Sequence, residues 1–235
     1  MTEIYESSVI PPGKATGCLP RNTRFGQTCP IFGERIKVIP QAEWKDYVGQ
    51  ISLRPFVKQV LDQDGVGSCA TESTTQGVMS GRVFAGLPFV LLNPWFIYYT
   101  TSGGRDQGSS IDDNLAFVRE HGIAPESVWP RSKGWRTKPS AEAVEAAKEF
   151  KIAEFYDIAS IEEMVSALLL GYFVVYGSKG HSVLKVEHLD DSKGLDVNSW
   201  STSWGDGGFG VWATYREVNW AYGAFAIRTV SEVKA

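Results

Sequence analysis

Leu195-Asp-Val-Asn-Ser-Trp-Ser-Thr-Ser-Trp-Gly-Asp-Gly-Gly-Phe-Gly210 is the segment on which the reading of this chain turns. Asn198 offers a neutral amide. An amide set behind an imidazole can hold one tautomer and one ring orientation without cancelling the ring's charge. An indole beside it, here Trp200, can shield that hydrogen bond from water. The glycines that follow permit tight turns between strands. A plain Gly/Trp-rich hairpin would have the same composition, so the segment gains meaning from what stands before it.

After Gly171, short runs of Val, Phe, Tyr and Trp alternate with Gly-rich turns at 172–176, 182–189, 195–200, 208–213 and 223–229. That texture predicts an antiparallel sheet or small barrel. Upstream the signals are helical. Asn93-Pro94 supplies a cap and a first-turn proline, with Trp95, Tyr98 and Tyr99 expected on one face. Ser110, followed by Asp112 and Asp113, starts a helix whose face is Ile111, Leu115 and Val118 and which Gly122 ends as a left-handed cap. Ser140 opens the Ala-rich stretch 141–149, and Ser160 with Glu163 forms a capping box before 161–169. Helices first and strands last make an α+β chain with a cleft between halves.

The nucleophile in such a cleft is sought among three cysteines. Cys69 follows Gln63-Asp-Gly-Val-Gly-Ser68, a flexible approach to a helix start with Ser68 as the expected cap. The positive end of a helix dipole favours a thiolate. Helix propensity is low here, because 71–75 reads Thr-Glu-Ser-Thr-Thr. Of three histidines, His121 falls in the last turn of its helix and His188 beside Asp190 and Asp191. His181 enters a strand, Ser182-Val-Leu-Lys-Val, from which its ring can point into a cleft.

Taken in order, these residues resemble the papain family of cysteine peptidases. Gln63 stands six positions before Cys69, the family spacing of oxyanion-hole glutamine to nucleophile, and Gly-Ser-Cys is kept. Gly180-His181-Ser-Val is similar to the family's His-Ala-Val strand, and Asn198 follows His181 by 17 positions. Asn198-Ser-Trp200 and the Gly-rich run after it match the family's closing motif. Gly108 through Ala116 and His121 through Pro130 resemble its central helix and following turn, and Ile39-Pro40 with Trp44 its mature start. The resemblance covers about residues 39–230.

It implies a papain-like two-lobed fold. The helical left lobe falls mainly in 60–150, the antiparallel β-barrel-like right lobe mainly in 151–230, and the site lies between them. The implied roles are Cys69 as nucleophile, His181 as base and acid, Asn198 as its orienter and Gln63 as oxyanion donor. Gly108 and Ser109 would line the substrate-backbone groove, with Trp200 over the His–Asn bond. Pairing with His181 is expected to lower the Cys69 pKa by several units, as the resemblance to this family implies. The chain departs from the family pattern at Val66 (usually Cys), Ala70 (usually Trp), Ser201 (usually Gly) and Ser109 (usually Gly, so that Ser109 is expected to narrow the groove). These departures resemble the disulfide-poor microbial or viral branches.

Composition bounds the alternatives. Of 235 residues, 43% are hydrophobic and 21% charged, which excludes wholesale disorder and fibrous architectures. A net charge of −4 disfavours nucleic acid as a partner. The one basic run, Arg131–Lys138, reads as a solvated loop. Three cysteines suggest a reducing compartment, with a Cys18–Cys29 disulfide left open. No cofactor or metal is called for. The N-terminus lacks signal-peptide character and the most apolar stretch, 86–99, is too short to span a membrane. The expectation is a cytoplasmic protein, or one inside a virus particle, acting on peptide or protein substrates without a membrane partner. Residues 1–38, with four prolines and no clear period, read as an extended arm or a processing segment, expected to cross the cleft or dock on an assembly partner, before a peptidase domain at 39–235. The rival readings are a papain-fold component of a larger assembly with little turnover, and a cell-wall amidase or isopeptidase of related fold.

Overall fold

The protein is described from a computed structural model that covers residues 4–228. Its elements in chain order are β1 (Cys18–Leu19), α1 (Phe32–Arg35), α2 (Cys69–Phe84), α3 (Pro94–Thr101), β2 (Ser109–Ser110), α4 (Ile111–His121), α5 (Ala141–Ala147), β3 (Glu154–Asp157), α6 (Ile161–Leu169), β4 (Phe173–Ser178), β5 (His181–Asp190), β6 (Lys193–Val197), β7 (Phe209–Gly210) and β8 (Ala224–Arg228). The last six strands form one sheet in the order β3-β8-β4-β5-β6-β7, antiparallel at every pairing. The sheet curls without closing. Among the described residues no helix is long and apolar enough to cross a membrane.

Helix α2 runs between the lobes and overrides its own propensity. Every residue from Cys69 to Gly81 is buried, so packing outweighs the few tenths of a kcal/mol that each Ser or Thr loses against alanine. Thr71, Ser73 and Thr74 satisfy their hydroxyls on carbonyls three or four residues back, as where Thr74 donates to the Ala70 carbonyl at 2.8 Å, whereas the Thr75 hydroxyl is buried without a partner. Gly77 lets the helix approach the sheet, since a Cβ there would stand 2.3 Å from Ile227 Cδ1. Ser68 does not cap α2 through its side chain as expected; its hydroxyl turns to Glu72 instead.

The other helix starts match their sequence signals. Asn93 Oδ1 accepts from Trp95 N, and Ser110, Ser140 and Ser160 each accept from the amide three residues on. Three details differ. The buried face of α3 is Phe96, Ile97 and Tyr98, with Trp95 and Tyr99 only half-buried. Glu163 reaches Ala159 N rather than completing a capping box at Ser160. Gly122, at φ 80° and ψ −164°, is in a region reserved for glycine rather than the left-handed helical one. A Cβ at Gly122 would lie 1.8 Å from the Ala147 carbonyl oxygen. Backbone strain and overpacking then add, so Gly122→Ala is expected to destabilise by about 3 kcal/mol or more in denaturant melts.

Two hydrophobic clusters flank the cleft. One, containing Cys69, Val78, Leu115, Val175, Leu184 and Ile227, joins α2 to the helical lobe and the near face of the sheet. The other, containing Phe32, Trp44, Met164, Tyr176, Trp200 and Trp212, fills the β-rich lobe beneath α6. Phe32 and Ile39 belong to this second body: Phe32 is fully buried against Tyr156 and Tyr172, and Asp157 N donates to the Pro30 carbonyl. Inside the same lobe Lys185 and Asp196 form a fully buried pair at 2.8 Å. Asp196 also accepts from Tyr176 OH and Trp212 N, which fixes Trp212. Cys18, Cys29 and Cys69 are all free thiols, so the Cys18–Cys29 bridge left open by the sequence is not formed.

Candidate active site

Cys69 is the first residue of α2 and His181 the first of β5, two elements packed against each other across the cleft. Ser73 and Ser182 tie them together through hydroxyls 2.7 Å apart. The Ser182 amide, one residue past His181, lies beside the Cys69 sulfur. His181 Nε2 and Asn198 Oδ1 are 2.8 Å apart. Because Asn198 Oδ1 also accepts from Ser199 N at 2.8 Å, it is the acceptor and Nε2 carries the proton. Nδ1 is buried without a hydrogen-bond partner, which leaves its lone pair for proton transfer. Trp200 stacks on the imidazole, with centroids 4.3 Å apart and planes at 19°, and Trp212 meets it edge-on at 5.1 Å. The two indoles exclude water from the His–Asn bond.

Gln63 sits in the loop that leads into α2. Its Oε1 accepts from Ser199 Oγ at 2.8 Å, which turns the amide NH2 group toward the cleft. Ser199 therefore orients the amide, a role the sequence reading did not assign. The signal was present, since Ser199 stands between the two motif residues that were singled out. The structure thus brings Cys69, His181, Asn198, Gln63 and Trp200 to one place. It sets His121 on the surface and buries His188 against Tyr215 and Trp44.

The N-terminal arm lies in this cleft. The Ala15 carbonyl accepts from Gln63 Nε2 at 3.1 Å and from Trp200 Nε1 at 3.3 Å. The Gly17 amide lies beside the Cys69 sulfur, and Gly17 N and Cys18 N both donate to the Gly180 carbonyl. β1 then pairs in parallel with β2, with Ser109 N donating to the Gly17 carbonyl at 2.9 Å. Gly108 and Ser109 therefore line a groove that holds extended backbone. Ser109 does not narrow it as expected, because its hydroxyl accepts from Asn114 Nδ2, on the α4 side. A Cβ on Gly17 would stand 2.0 Å from the Gly67 carbonyl oxygen, so the crossing is glycine against glycine.

Charged groups fasten the arm on both sides of the crossing. Lys14 Nζ holds both carboxylate oxygens of Asp62, at 2.7 and 2.8 Å. Arg21 grips the buried Asp157 in a fork, at 2.9 and 2.5 Å. The buried Asp112 accepts from Asn22 N, Thr23 N and Thr23 Oγ1. Farther out, Val211 N donates to the Tyr5 carbonyl, and Tyr5 packs edge-on against Trp204.

Burial shifts the protonation equilibria of both Cys69 and His181. Burial pushes the Cys69 thiol up to about 12, only partly offset by the amides of Ser182, Gly17 and Ala70. Burial pushes His181 down to about 4, against the hydrogen bond to Asn198. Both shifts favour the neutral forms. The expected depression of the Cys69 pKa is therefore not found in this structure, in which both groups are fully buried.

No protein-family model matches the chain, and no curated protein matches it. Solved structures do. Xylellain, a cysteine protease from Xylella fastidiosa, superposes with a TM-score of 0.71 at 20% identity, over 93% of this chain and 97% of that one. A recombinant stem bromelain precursor gives 0.66 at 14% identity, over 88% and 77%. A procathepsin B from Trypanosoma congolense gives 0.62 at 16%, over 92% and 87%. At these identities the likeness is one of fold. The chain has the papain-like cysteine protease fold, with a helical lobe, an unclosed antiparallel sheet lobe and a cleft between them.

Proposed function

We propose that this protein is a papain-like cysteine peptidase held latent by its own N-terminal arm. The observation that carries the reading is that one stretch of arm backbone meets Gln63 through the Ala15 carbonyl and the Cys69 sulfur through the Gly17 amide, next to the oriented His181–Asn198 pair. In the uncovered site His181 Nδ1 takes the Cys69 proton, and the sulfur attacks a peptide carbonyl. Gln63 Nε2 and the Cys69 amide hold the oxyanion. The imidazolium then gives its proton to the leaving amine, and the acyl-enzyme is hydrolysed by water that His181 activates. Removing one oxyanion donor of this kind costs about 3 kcal/mol of transition-state stabilisation.

The latent form is supported by the arm itself, whose backbone fills the groove that a substrate needs. Two of the similar structures are described as a precursor and a proenzyme. The site favours the peptidase over an assembly component without turnover, because a binding module has no need of an oriented imidazole with a free Nδ1.

The test is peptide-resolved mass spectrometry after incubation with an epoxide inhibitor of papain-like enzymes. Cys69 should be alkylated and Cys18 and Cys29 spared, with labelling lost in His181→Ala. Labelling of Cys69 that survives His181→Ala would refute the peptidase, and a chain never labelled at Cys69, even with the arm displaced, would favour the assembly component.

A further inference from the structure

The loop Asp62–Ser68 carries Gln63 near its start and delivers Cys69 at its end, so its shape sets the distance between oxyanion donor and nucleophile. Both ends are tied to one ion pair. Glu72, fully buried one turn into α2, accepts from Ser68 Oγ at 3.1 Å. Arg131 clasps both Glu72 oxygens, at 3.0 and 3.2 Å, and donates to the Asp62 carbonyl at 2.6 Å. The guanidinium lies 4.3 Å over the Trp95 ring, and the Trp95 indole N–H donates to the same Ser68 hydroxyl. This overturns the reading of Arg131 as part of a solvated loop, although Lys133, Arg136 and Lys138 are exposed. A buried ion pair adds little net stability against an apolar alternative, so its effect is on geometry.

We propose that Arg131 and Glu72 are positioning residues that hold the Gln63 amide and the Cys69 sulfur in register, an inference that rests on the peptidase reading above. Arginine is required because its planar fork meets three oxygens at once, which a lysine ammonium on a flexible stem does not. The pair has an electrostatic consequence as well. The Glu72 carboxylate opposes ionisation of Cys69. The other ionisable groups coupled to the thiol are Cys18 and Tyr98, and His181 precedes the Ser182 amide that lies beside the sulfur. Those around the carboxylate are Arg131 and Asp64, and Glu126 flanks the arginine. Glu72→Gln keeps an oxygen for Ser68, removes one negative charge and leaves Arg131 in place, so the thiolate should form at lower pH.

The test uses the full chain. A covering arm competes with substrate and therefore enters KM but not kcat at saturation. Arg131→Lys is expected to lower kcat about ten- to a hundred-fold with KM changed less than about two-fold, since a misplaced catalytic group loses rate on that scale. Glu72→Gln is expected to move the pH midpoint of Cys69 alkylation by iodoacetamide downward. The same loop meets the arm, at Asp62–Lys14 and Gln63–Ala15, so the variants are compared with wild type at saturating substrate, and thermal melts identify any variant that does not fold. An unchanged kcat in folded Arg131→Lys would overturn the inference. If Arg131→Lys fails to fold, the kcat of Glu72→Gln decides in its place, and a wild-type value there would overturn the inference. Wild-type Cys69 that alkylates as an ordinary thiol, with no dependence on His181, would remove the peptidase reading itself.

Discussion

Cys69→Ala is expected to lower kcat for peptide hydrolysis by about 10⁴-fold or more, and His181→Ala by a similar amount, because nucleophile and base act as one unit and each is idle without the other. The substitution removes only a sulfur at a fully buried helix start, so the melting temperature should shift by a few degrees at most. Asn198→Ala should fall between these and wild type. It frees the ring to rotate between Trp200 and Trp212 but leaves both reacting groups. Steady-state kinetics on a peptide substrate, with circular dichroism to confirm the fold, measures all three. Hydrolysis at wild-type rate in purified Cys69→Ala would end the proposed mechanism.

Gly17→Val should do the opposite and raise kcat/KM of the full chain by about ten- to a hundred-fold. At 2.0 Å from the Gly67 carbonyl, the new side chain meets backbone that no rotamer change can clear. Overpacking of this kind costs about 1–3 kcal/mol, and the arm can escape that cost by lifting. The gain should appear in KM. Deleting the whole of 1–38 is a poorer experiment, because Phe32 and its neighbours are core residues of the β-rich lobe. A kcat/KM for Gly17→Val equal to wild type, with protease resistance of the arm unchanged, would show that the arm does not restrain the site.

The chain itself specified much of this molecule. Short polar residues before apolar runs marked Asn93, Ser110, Ser140 and Ser160, because a cap is a contact within four residues and needs nothing else from the fold. The strands after Gly171 were legible because alternation and glycine turns are local. The residue types and intervals of Gln63, Cys69, His181 and Asn198 carried a resemblance to the papain family, and the roles assigned to them came from that resemblance. What tertiary structure alone decided are the matters that depend on distant partners. Helix α2 exists against its propensity because both lobes bury it. Arg131 finds Glu72 and Asp62 rather than water because the turn after α4 folds back over the start of α2. The arm has no period of its own and takes its shape from the walls of the cleft. The resting neutral state of Cys69 and His181 follows from burial, which no spacing along a sequence encodes.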